Sequence, residues 1–274
     1  MFQMKTTMRA NIFLVFLAAL TLLSSCRKDT EEFKVDDENI YSSSLTGIVT
    51  DENENPISGA IIDFQGMTTT TDAYGIYELD KVKVGDLHNF ITITKAGYFD
   101  GCRTFRTNQS QDIYHKTQLV ETRFDNSFSS SSGGDLTIDG VEFSFPSNAI
   151  VIDGTSAPYT GEVEIAVHYI DPVDENSASQ MPGDLSAAGE DGEIDLLRSF
   201  GMVGVELRSS SGQKLQVKEG STVTMTAEIP TELLSDAPSE LPIWHFNQDN
   251  GLWEKEGMAT KQGTQYVAEV SHFS

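Results

Sequence analysis

The sequence contains five histidines, which can act as acids, bases or metal ligands. Their spacing matches no catalytic motif. They are His88, His115, His168, His245 and His272. A zinc protease needs histidine and glutamate ligands around its metal with a catalytic carboxylate nearby, but none of the five begins an H-x-x-E or H-E-x-x-H pattern. The sequence also lacks a G-x-S-x-G elbow, a P-loop and a G-x-G-x-x-G turn. It therefore predicts no enzyme, no catalytic residue and no metal ligand; a hydrolase would need histidines and carboxylates that converge in a pocket.

Acidic loops form a second group of candidate ligands. Residues 51–55, 171–176 and 190–195 are rich in Asp, Glu and Asn, and calcium takes about six to eight oxygen ligands, which such loops can supply. None of the loops has the EF-hand pattern of spaced acidic residues, a glycine and a glutamate at the last position. In a chain with 42 acidic residues, an acidic loop is usually a solvated turn. The sequence therefore predicts no cofactor, with Ca²⁺ as the alternative at these loops.

Two tryptophans are candidates for stacking on a ligand. Trp244 and Phe246 alternate on a strand that leads into the turn at 247–251, and Trp253 begins the return strand. This spacing predicts a hairpin with a glycine-containing loop. Tryptophans beside a hairpin either stack on sugar rings or pack in the core and across strands, and packing is the more common use. Both interpretations stay open for Trp244 and Trp253.

The N-terminus predicts export and lipid attachment. Lys5 and Arg9 precede an apolar run over residues 12–20, which is too short to span a bilayer well and is typical of a signal peptide. The Leu-Ser-Ser sequence that leads to Cys26 resembles a bacterial lipobox. That resemblance implies that residues 1–25 are a lipoprotein signal peptide and that the thiol of Cys26 carries a diacylglyceryl group.

The net charge and the charged segment after Cys26 indicate which partners and which cellular location to expect. With 18 Lys+Arg against 42 Asp+Glu, the formal net charge is −24, and such an excess of acid repels phosphate backbones, so nucleic-acid binding is excluded. Residues 27–32 are basic and then acidic, similar to the tether of surface-exported lipoproteins in Bacteroidetes-type bacteria. We therefore expect a flexible tether over residues 26–44 and a place at the bacterial outer membrane, on the cell surface, held by the lipid anchor. Cys102 then remains as a lone thiol, expected to be a buried core residue.

Short runs of alternating apolar residues predict an all-β fold from residue 45 onward. With no amphipathic helix between the runs, the pattern favours two antiparallel β-sandwich domains in series. The first resembles the carboxypeptidase regulatory-like domain, a transthyretin-type sandwich, over about residues 45–118. The segments that carry this resemblance are 47–51, 56–60, 71–77 and 95–98. It implies a non-catalytic accessory module allied to carbohydrate-binding-like folds, and the segments themselves are typical of structural turns.

A second β region follows a predicted linker. The linker covers residues 119–134 and ends in a Ser/Gly-rich run, and the second sandwich covers residues 135–274. Three of its segments resemble the extracellular β region of cartilage intermediate layer protein and its bacterial relatives: 145–150, 199–207 and 244–253. The resemblance implies an adhesive or matrix-type role and identifies no binding residue. The chain ends within an expected strand, which leaves a truncated second domain as an interpretation.

These observations predict a non-enzymatic cell-envelope lipoprotein whose β-sandwich domains act as an adhesion or docking module for surface proteins or glycans. One alternative is a carbohydrate-binding accessory lipoprotein that uses Trp244 or Trp253. Another is a spacer for a functional domain that follows Ser274.

Overall fold

The computed structural model describes residues 39–189 and 193–273, and within them nearly all regular structure is β. The strands are β1 (Ile40–Thr50), β2 (Ile61–Phe64), β3 (Met67–Thr70), β4 (Ile76–Gly85), β5 (Asn89–Thr94), β6 (Gly101–Phe105), β7 (Asp112–Gln118), β8 (Asn126–Ser129), β9 (Gly134–Ile138), β10 (Val141–Phe145), β11 (Ile150–Ile152), β12 (Glu162–Ile170), β13 (Ser186–Ala188), β14 (Ile194–Leu196), β15 (Met202–Ser209), β16 (Lys214–Val217), β17 (Val223–Glu228), β18 (Glu240–Asn247), β19 (Leu252–Gln262) and β20 (Gln265–Val270). A helical turn, α1 (Ser177–Gln180), and a 3₁₀ turn (Thr231–Leu233) complete the described elements. The predicted all-β class is confirmed.

Two facing sheets enclose the first core. Their strand orders are β4-β1-β7 and β3-β2-β5-β6. In β4 the buried Tyr77 and Leu79 alternate with exposed Ile76 and Glu78, because successive side chains of a strand point to opposite faces. The pairing departs from the purely antiparallel prediction at β1, which pairs with β4 antiparallel and with β7 parallel. Parallel pairing is possible here because the chain crosses to the other sheet and returns before β7.

The turn segments of this first sandwich are held by short-range contacts. Gly75 has φ +74°, and a Cβ at this position would lie 2.4 Å from the carbonyl oxygen of Val49, so only glycine fits. The Thr71 hydroxyl donates to the Ile57 carbonyl over 2.6 Å and accepts from the Ala60 amide over 2.8 Å. These side chains therefore serve the backbone of the turns.

The flexible tether predicted for residues 26–44 ends earlier than the sequence suggests, because β1 begins at Ile40. Tyr41 and Ser43 pair with Val84 and Val82 of β4. Ser43 is only 5% exposed. Serines enter the sheet here through backbone hydrogen bonds, which do not depend on an apolar side chain. Residues up to 38, including Cys26 and the predicted signal peptide, lie outside the described residues.

The Ser/Gly-rich run is also folded, in contrast to the predicted linker over residues 119–134. Asn126–Ser129 forms β8, which pairs antiparallel with β12. Phe128 is 6% exposed and stacks on Phe145 with ring centroids 4.2 Å apart. Gly133 has φ +72° and would place a Cβ 2.2 Å from the Phe145 carbonyl oxygen. One aromatic residue and one glycine thus tie this run to the second core.

The second core lies between a five-stranded and an eight-stranded sheet. Their orders are β11-β16-β15-β12-β8 and β14-β13-β19-β20-β17-β10-β9, with β18 paired to β19. The largest buried side chains between them include Phe143, Ile150 and Ile165. After β20, Phe273 turns back onto the core, with its ring 6.2 Å from that of Phe145 and its backbone hydrogen-bonded to Gln216. No helix in residues 39–189 or 193–273 is long and apolar enough to cross a membrane.

Candidate functional site

A large cleft lies where the two sandwiches meet, and we call it the junction cleft. Its volume is about 960 Å³, at the upper end of the range typical of ligand sites. The first sandwich contributes residues 99–101 and 118–120, and the second contributes 196–207, 214–216 and 240–249. The lining is mostly apolar and includes charged side chains such as Asp100, Glu206 and Glu256. Mostly apolar clefts with a few polar groups are typical of ligand sites, so this cleft is the candidate binding surface.

Both candidate tryptophans line the junction cleft, but their surroundings differ. The indole Nε1 of Trp253 donates to the Asp184 carbonyl oxygen over 2.7 Å, and its ring meets Phe246 edge-on with centroids 5.4 Å apart. Neither tryptophan is fully buried. Trp253 is thus occupied by packing, whereas Trp244 is the better placed of the two for stacking on a ligand.

A cluster of two histidines and a glutamate forms one wall of the cleft, and we call it the His–Glu–His cluster. Its members are His245 on β18, Glu256 on β19 and His272 after β20, and their ligand-capable atoms all lie within 4.8 Å of one another. The two imidazole rings are nearly perpendicular, with centroids 4.3 Å apart. Two histidines that match no motif in the sequence therefore lie close together in the fold.

Strand pairing brings Glu256 to this position. On β19, Glu254 pairs with His245, and Glu256 follows two residues later. Alternate residues of a strand point to the same face, so Glu256 lies on the face of His245. Glu256 itself is the extra residue of a β-bulge, between the pairs Lys255–Trp244 and Gly257–Ile243.

Hydrogen bonds fix the carboxylate of Glu256. Its Oε1 accepts from the backbone amide of Ser271 over 2.7 Å and from the Ser271 hydroxyl over 2.8 Å, and it lies 3.3 Å from His272 Nδ1. Desolvation raises the pKa of Glu256, but the hydrogen bonds from His272 and Ser271 outweigh it and bring the pKa to about 2. The same pairing raises the pKa of His272. At neutral pH, Glu256 is therefore an anion with its orientation set by the chain that follows β20.

His245 has a different environment. Burial, followed by the nearby charge of His272, lowers the pKa of its imidazole. Its Nδ1 is buried without a hydrogen-bond partner, and its Nε2 lies 3.7 Å from Glu254. A neutral imidazole with an unpartnered nitrogen beside a carboxylate and a second imidazole can bind a divalent transition metal.

The cleft lining also includes two carboxylates, Asp100 and Glu206, and the nearby Lys214. Burial raises the pKa of Asp100 and of Glu206, and the charge of Lys214 partly opposes this in both. Asp100 belongs to the first sandwich and Glu206 to the second, so their charges approach each other across the junction. These carboxylates can accept hydrogen bonds from a polar ligand.

Polar contacts hold the junction together beside the cleft. The guanidinium of Arg103 is buried and donates to the carbonyl oxygens of Ser179 and Met181, in and after α1. Gln180 donates to Gln118 over 2.7 Å, and its Oε1 lies 3.0 Å from His168 Nε2. The α1 segment is therefore bonded to both sandwiches, and it fixes the distance between them.

The remaining predicted candidates lie apart from this site. In the loop at 51–55, Asp51 accepts hydrogen bonds from the Asn53 and Asn55 amides, which lower its pKa together with the Asn55 side chain, so its oxygens serve the turn. In the loop at 171–176, Asp171 accepts from Val173 in the same way. Residues 190–192 of the third loop lie outside the described residues.

Cys102 is buried as expected. It is 3% exposed, and burial raises the pKa of its thiol to about 12. A thiol with this pKa is protonated at neutral pH and is a poor nucleophile. The structure therefore gives Cys102 a core position.

Sequence motifs could not reveal the His–Glu–His cluster. Its members are separated by 11 and 16 positions, and they meet through the pairing of distant strands. The available signal was the hairpin itself, whose two strands carry His245 and Glu256. Metal-binding motifs with short spacings do not include residues this far apart in the sequence.

The fold and the cleft together define a β-sandwich protein with a concave junction site, and comparison with known proteins gives it distant relatives. No family model matches the sequence. The chain is a distant homologue of cartilage intermediate layer proteins: it is 28% identical to protein 2 of Homo sapiens over 159 residues, which cover 56% of this chain and 14% of the relative. It is 32% identical to protein 1 of Mus musculus over 107 residues, covering 36% of this chain and 8% of the relative. The chain thus spans less than a fifth of the length of these relatives.

Solved structures give only weak likenesses. A Bacteroides fragilis protein of unknown function is 8% identical with a TM-score of 0.25, covering 86% of this chain and 99% of that one. A DUF3823 family protein from Parabacteroides merdae is 6% identical with a TM-score of 0.22, covering 86% of this chain and all of that one (100%). TM-scores this low support no conclusion about this chain.

Proposed function

We propose that this chain is a non-enzymatic lipoprotein of the bacterial cell envelope that docks to other surface proteins through the junction cleft. The cleft itself carries the proposal: it is large and mostly apolar with some polar groups in its lining, and an apolar groove beside a sheet edge suits a peptide segment of another protein. The lipid on Cys26 would hold the chain at the outer membrane. The relatives are named for a layer of cartilage, and a role outside the cell is in keeping with that name.

An edge strand beside the cleft suggests the form of the partner. β14 is the terminal strand of the eight-stranded sheet, and its Leu196 lines the cleft while remaining 81% exposed. A terminal strand offers unpaired backbone groups to an added strand, and a neighbouring apolar residue adds affinity. We infer that the ligand is an extended segment of another envelope protein.

The test is an array of envelope proteins and glycans probed with the full chain. We expect protein ligands, and we expect Leu196→Asp to weaken their binding at least tenfold, because a charge replaces the apolar contact. Leu87→Asp is the matched control, since Leu87 is 42% exposed and does not line the cleft. Equal binding by the wild type and by Leu196→Asp would contradict docking at this strand.

A glycan ligand is the second candidate, and the position of Trp244 favours it. An aromatic face on the wall of a cleft can stack on a sugar ring, and the Asp100 and Glu206 carboxylates in the cleft lining can accept hydrogen bonds from hydroxyl groups. If the array shows only glycans, and Trp244→Ala abolishes their binding while Trp253→Ala reduces it less, the carbohydrate-binding role replaces the docking role.

A further inference from the structure

The His–Glu–His cluster has the chemical composition of a zinc site. Zinc is bound by two histidines and one glutamate in many sites that keep a further position open. Nitrogen ligands disfavour Ca²⁺ and Mg²⁺, which prefer oxygen alone. The donor set therefore points to a transition metal.

The distances allow a metal with small side-chain movements. Tetrahedral ligands about 2.0–2.1 Å from zinc lie roughly 3.3 Å from one another, and the atoms of the cluster already lie within 4.8 Å. His272 Nδ1 and Glu256 Oε1 are at 3.3 Å. The remaining gap is about 1.5 Å, a distance on the scale of side-chain rotations.

The contacts around the cluster match those around known metal ligands. A metal-binding carboxylate is usually itself hydrogen-bonded, and such outer contacts orient it; Ser271 provides two of them to Glu256. The His245 Nδ1 is buried and without a partner, and a buried polar atom is costly unless something bonds it. A metal ion would satisfy it.

An ion pair alone explains less of this arrangement. A salt bridge between Glu256 and His272 accounts for the 3.3 Å contact. It does not account for the nearly perpendicular second imidazole, whose ring centroid lies 4.3 Å from that of His272, or for the buried His245 Nδ1 that has no hydrogen-bond partner. Two imidazoles beside one carboxylate are better matched to a dication.

We propose that His245, Glu256 and His272 bind one Zn²⁺ or similar transition-metal ion, with a further coordination position facing the junction cleft. All three residues line that cleft, so the open position is accessible to water or to a ligand group. This inference is independent of the proposed docking role, because the metal site can exist whatever the partner of the cleft is.

The test is a titration of the full chain, purified without a histidine tag and stripped of metal, with Zn²⁺ alone. We expect one zinc ion to bind per chain. His245→Ala and His272→Ala should each weaken binding at least ~100-fold, since loss of an outer contact already costs about 10–100-fold. His168→Gln is the matched control: His168 lies on the same cleft, 3.5 Å from Asp139, and outside the cluster, so its loss should leave the affinity unchanged.

Two further measurements keep the test decisive if a variant is unstable. Co²⁺ should give the strong visible absorption of a four- or five-coordinate site, and Glu256→Gln should change that spectrum. Zn²⁺ should raise the melting temperature of the wild type and not that of His272→Ala, whose changed residue lies after the last strand. Zinc binding that is equally tight in the His245→Ala/His272→Ala double variant, or no binding to the wild type, would overturn the proposal.

Discussion

At the scale of single residues, His115 is the group that most clearly links burial to stability. It packs against Phe105 with ring centroids 5.1 Å apart, and its Nε2 is buried without a hydrogen-bond partner. Burial, with a smaller effect of the Arg103 charge, lowers the pKa of His115 from 6.5 to about 4. The folded protein therefore holds this imidazole neutral at pH values where the unfolded chain protonates it.

This difference predicts a fall in stability as the pH decreases. Above pH 6.5 both states are neutral at this site and nothing changes. Between pH 6.5 and pH 4 the unfolded state binds a proton that the folded state does not, so the free energy of unfolding should drop by about 2 kcal/mol between pH 7 and pH 5. Urea denaturation of the wild type and of His115→Phe at both pH values measures it.

The His115→Phe variant should lose the fall in unfolding free energy that His115 causes between pH 7 and pH 5. The pH dependence due to other groups should remain. Tyr114→Phe, which alters an exposed neighbour, should behave like the wild type. An identical pH slope in wild type and His115→Phe would show that this histidine is protonated in the folded state.

The residue scale also shows where sequence reasoning ended. The burial of Cys102 follows from its residue type, because a lone cysteine without a catalytic histidine motif is usually a core residue. The meeting of His245 with His272 depends on the pairing of β18 with β19 and of β19 with β20, which leaves no local pattern in the sequence. Long-range pairing is therefore the information that was missing.

At the scale of elements, β8 differs most from what its composition suggests. Its Ser/Gly-rich surroundings are typical of a linker, but Phe128 supplies a large apolar side chain to the second core. The average composition of the Ser/Gly-rich run hides the one residue, Phe128, that is buried in the second core. The alternating strands, such as β4 and β12, were predictable because each repeats the same signal several times.

This assignment of β8 predicts a large effect of one substitution. Phe128→Ala should destabilise the protein by about 3–5 kcal/mol, the range for truncating a buried phenylalanine. A linker residue would give almost no change. Chemical denaturation measures the loss in free energy of unfolding.

Phe124→Ala provides the comparison four residues earlier. Phe124 is only partly buried and lies under the Arg208 guanidinium, 3.6 Å from the ring centroid, so its loss should cost about 1 kcal/mol. Equal and small effects of both substitutions would mean that β8 contributes little to the core.

At the scale of the whole molecule, the proposed lipid attachment at Cys26 would decide where the chain acts. If the thiol is acylated, the wild type should appear in the membrane fraction of the bacterium that makes it, and its mass should show a lipid-modified N-terminus at Cys26. Cys26→Ala should move the protein to the soluble fraction, because one missing anchor removes all of the acyl chains. Fractionation followed by mass spectrometry checks both.

Cys102→Ala is the control for this change. Cys102 is buried, so its loss should leave the distribution between fractions as in the wild type. Recovery of Cys26→Ala in the membrane fraction would mean that something other than a lipid holds the chain there.

The sequence predicted the all-β fold class, but it did not predict how the two sandwiches contact each other. Period-two alternation reveals strands wherever one face is apolar, and this was enough for the all-β class. The junction depends on Arg103 and Gln180, which are polar residues that sequence patterns assign to the surface. The cleft exists because these residues join the sandwiches, and so it could not be foreseen from either sandwich alone.

The parallel pairing of β1 with β7 has a mechanical consequence. From Ser44 to Thr50, β1 lies beside residues 112–118; its N-terminal end faces the chain that leads to Cys26, and the C-terminal end of β7 leads into the second sandwich. If Cys26 is anchored and the second sandwich holds a partner, as proposed, tension between them would pull these two strands in opposite directions along their length. This force would load the hydrogen bonds between β1 and β7 in shear. All of these bonds would then have to break at nearly the same time, so the first sandwich would resist mechanical unfolding.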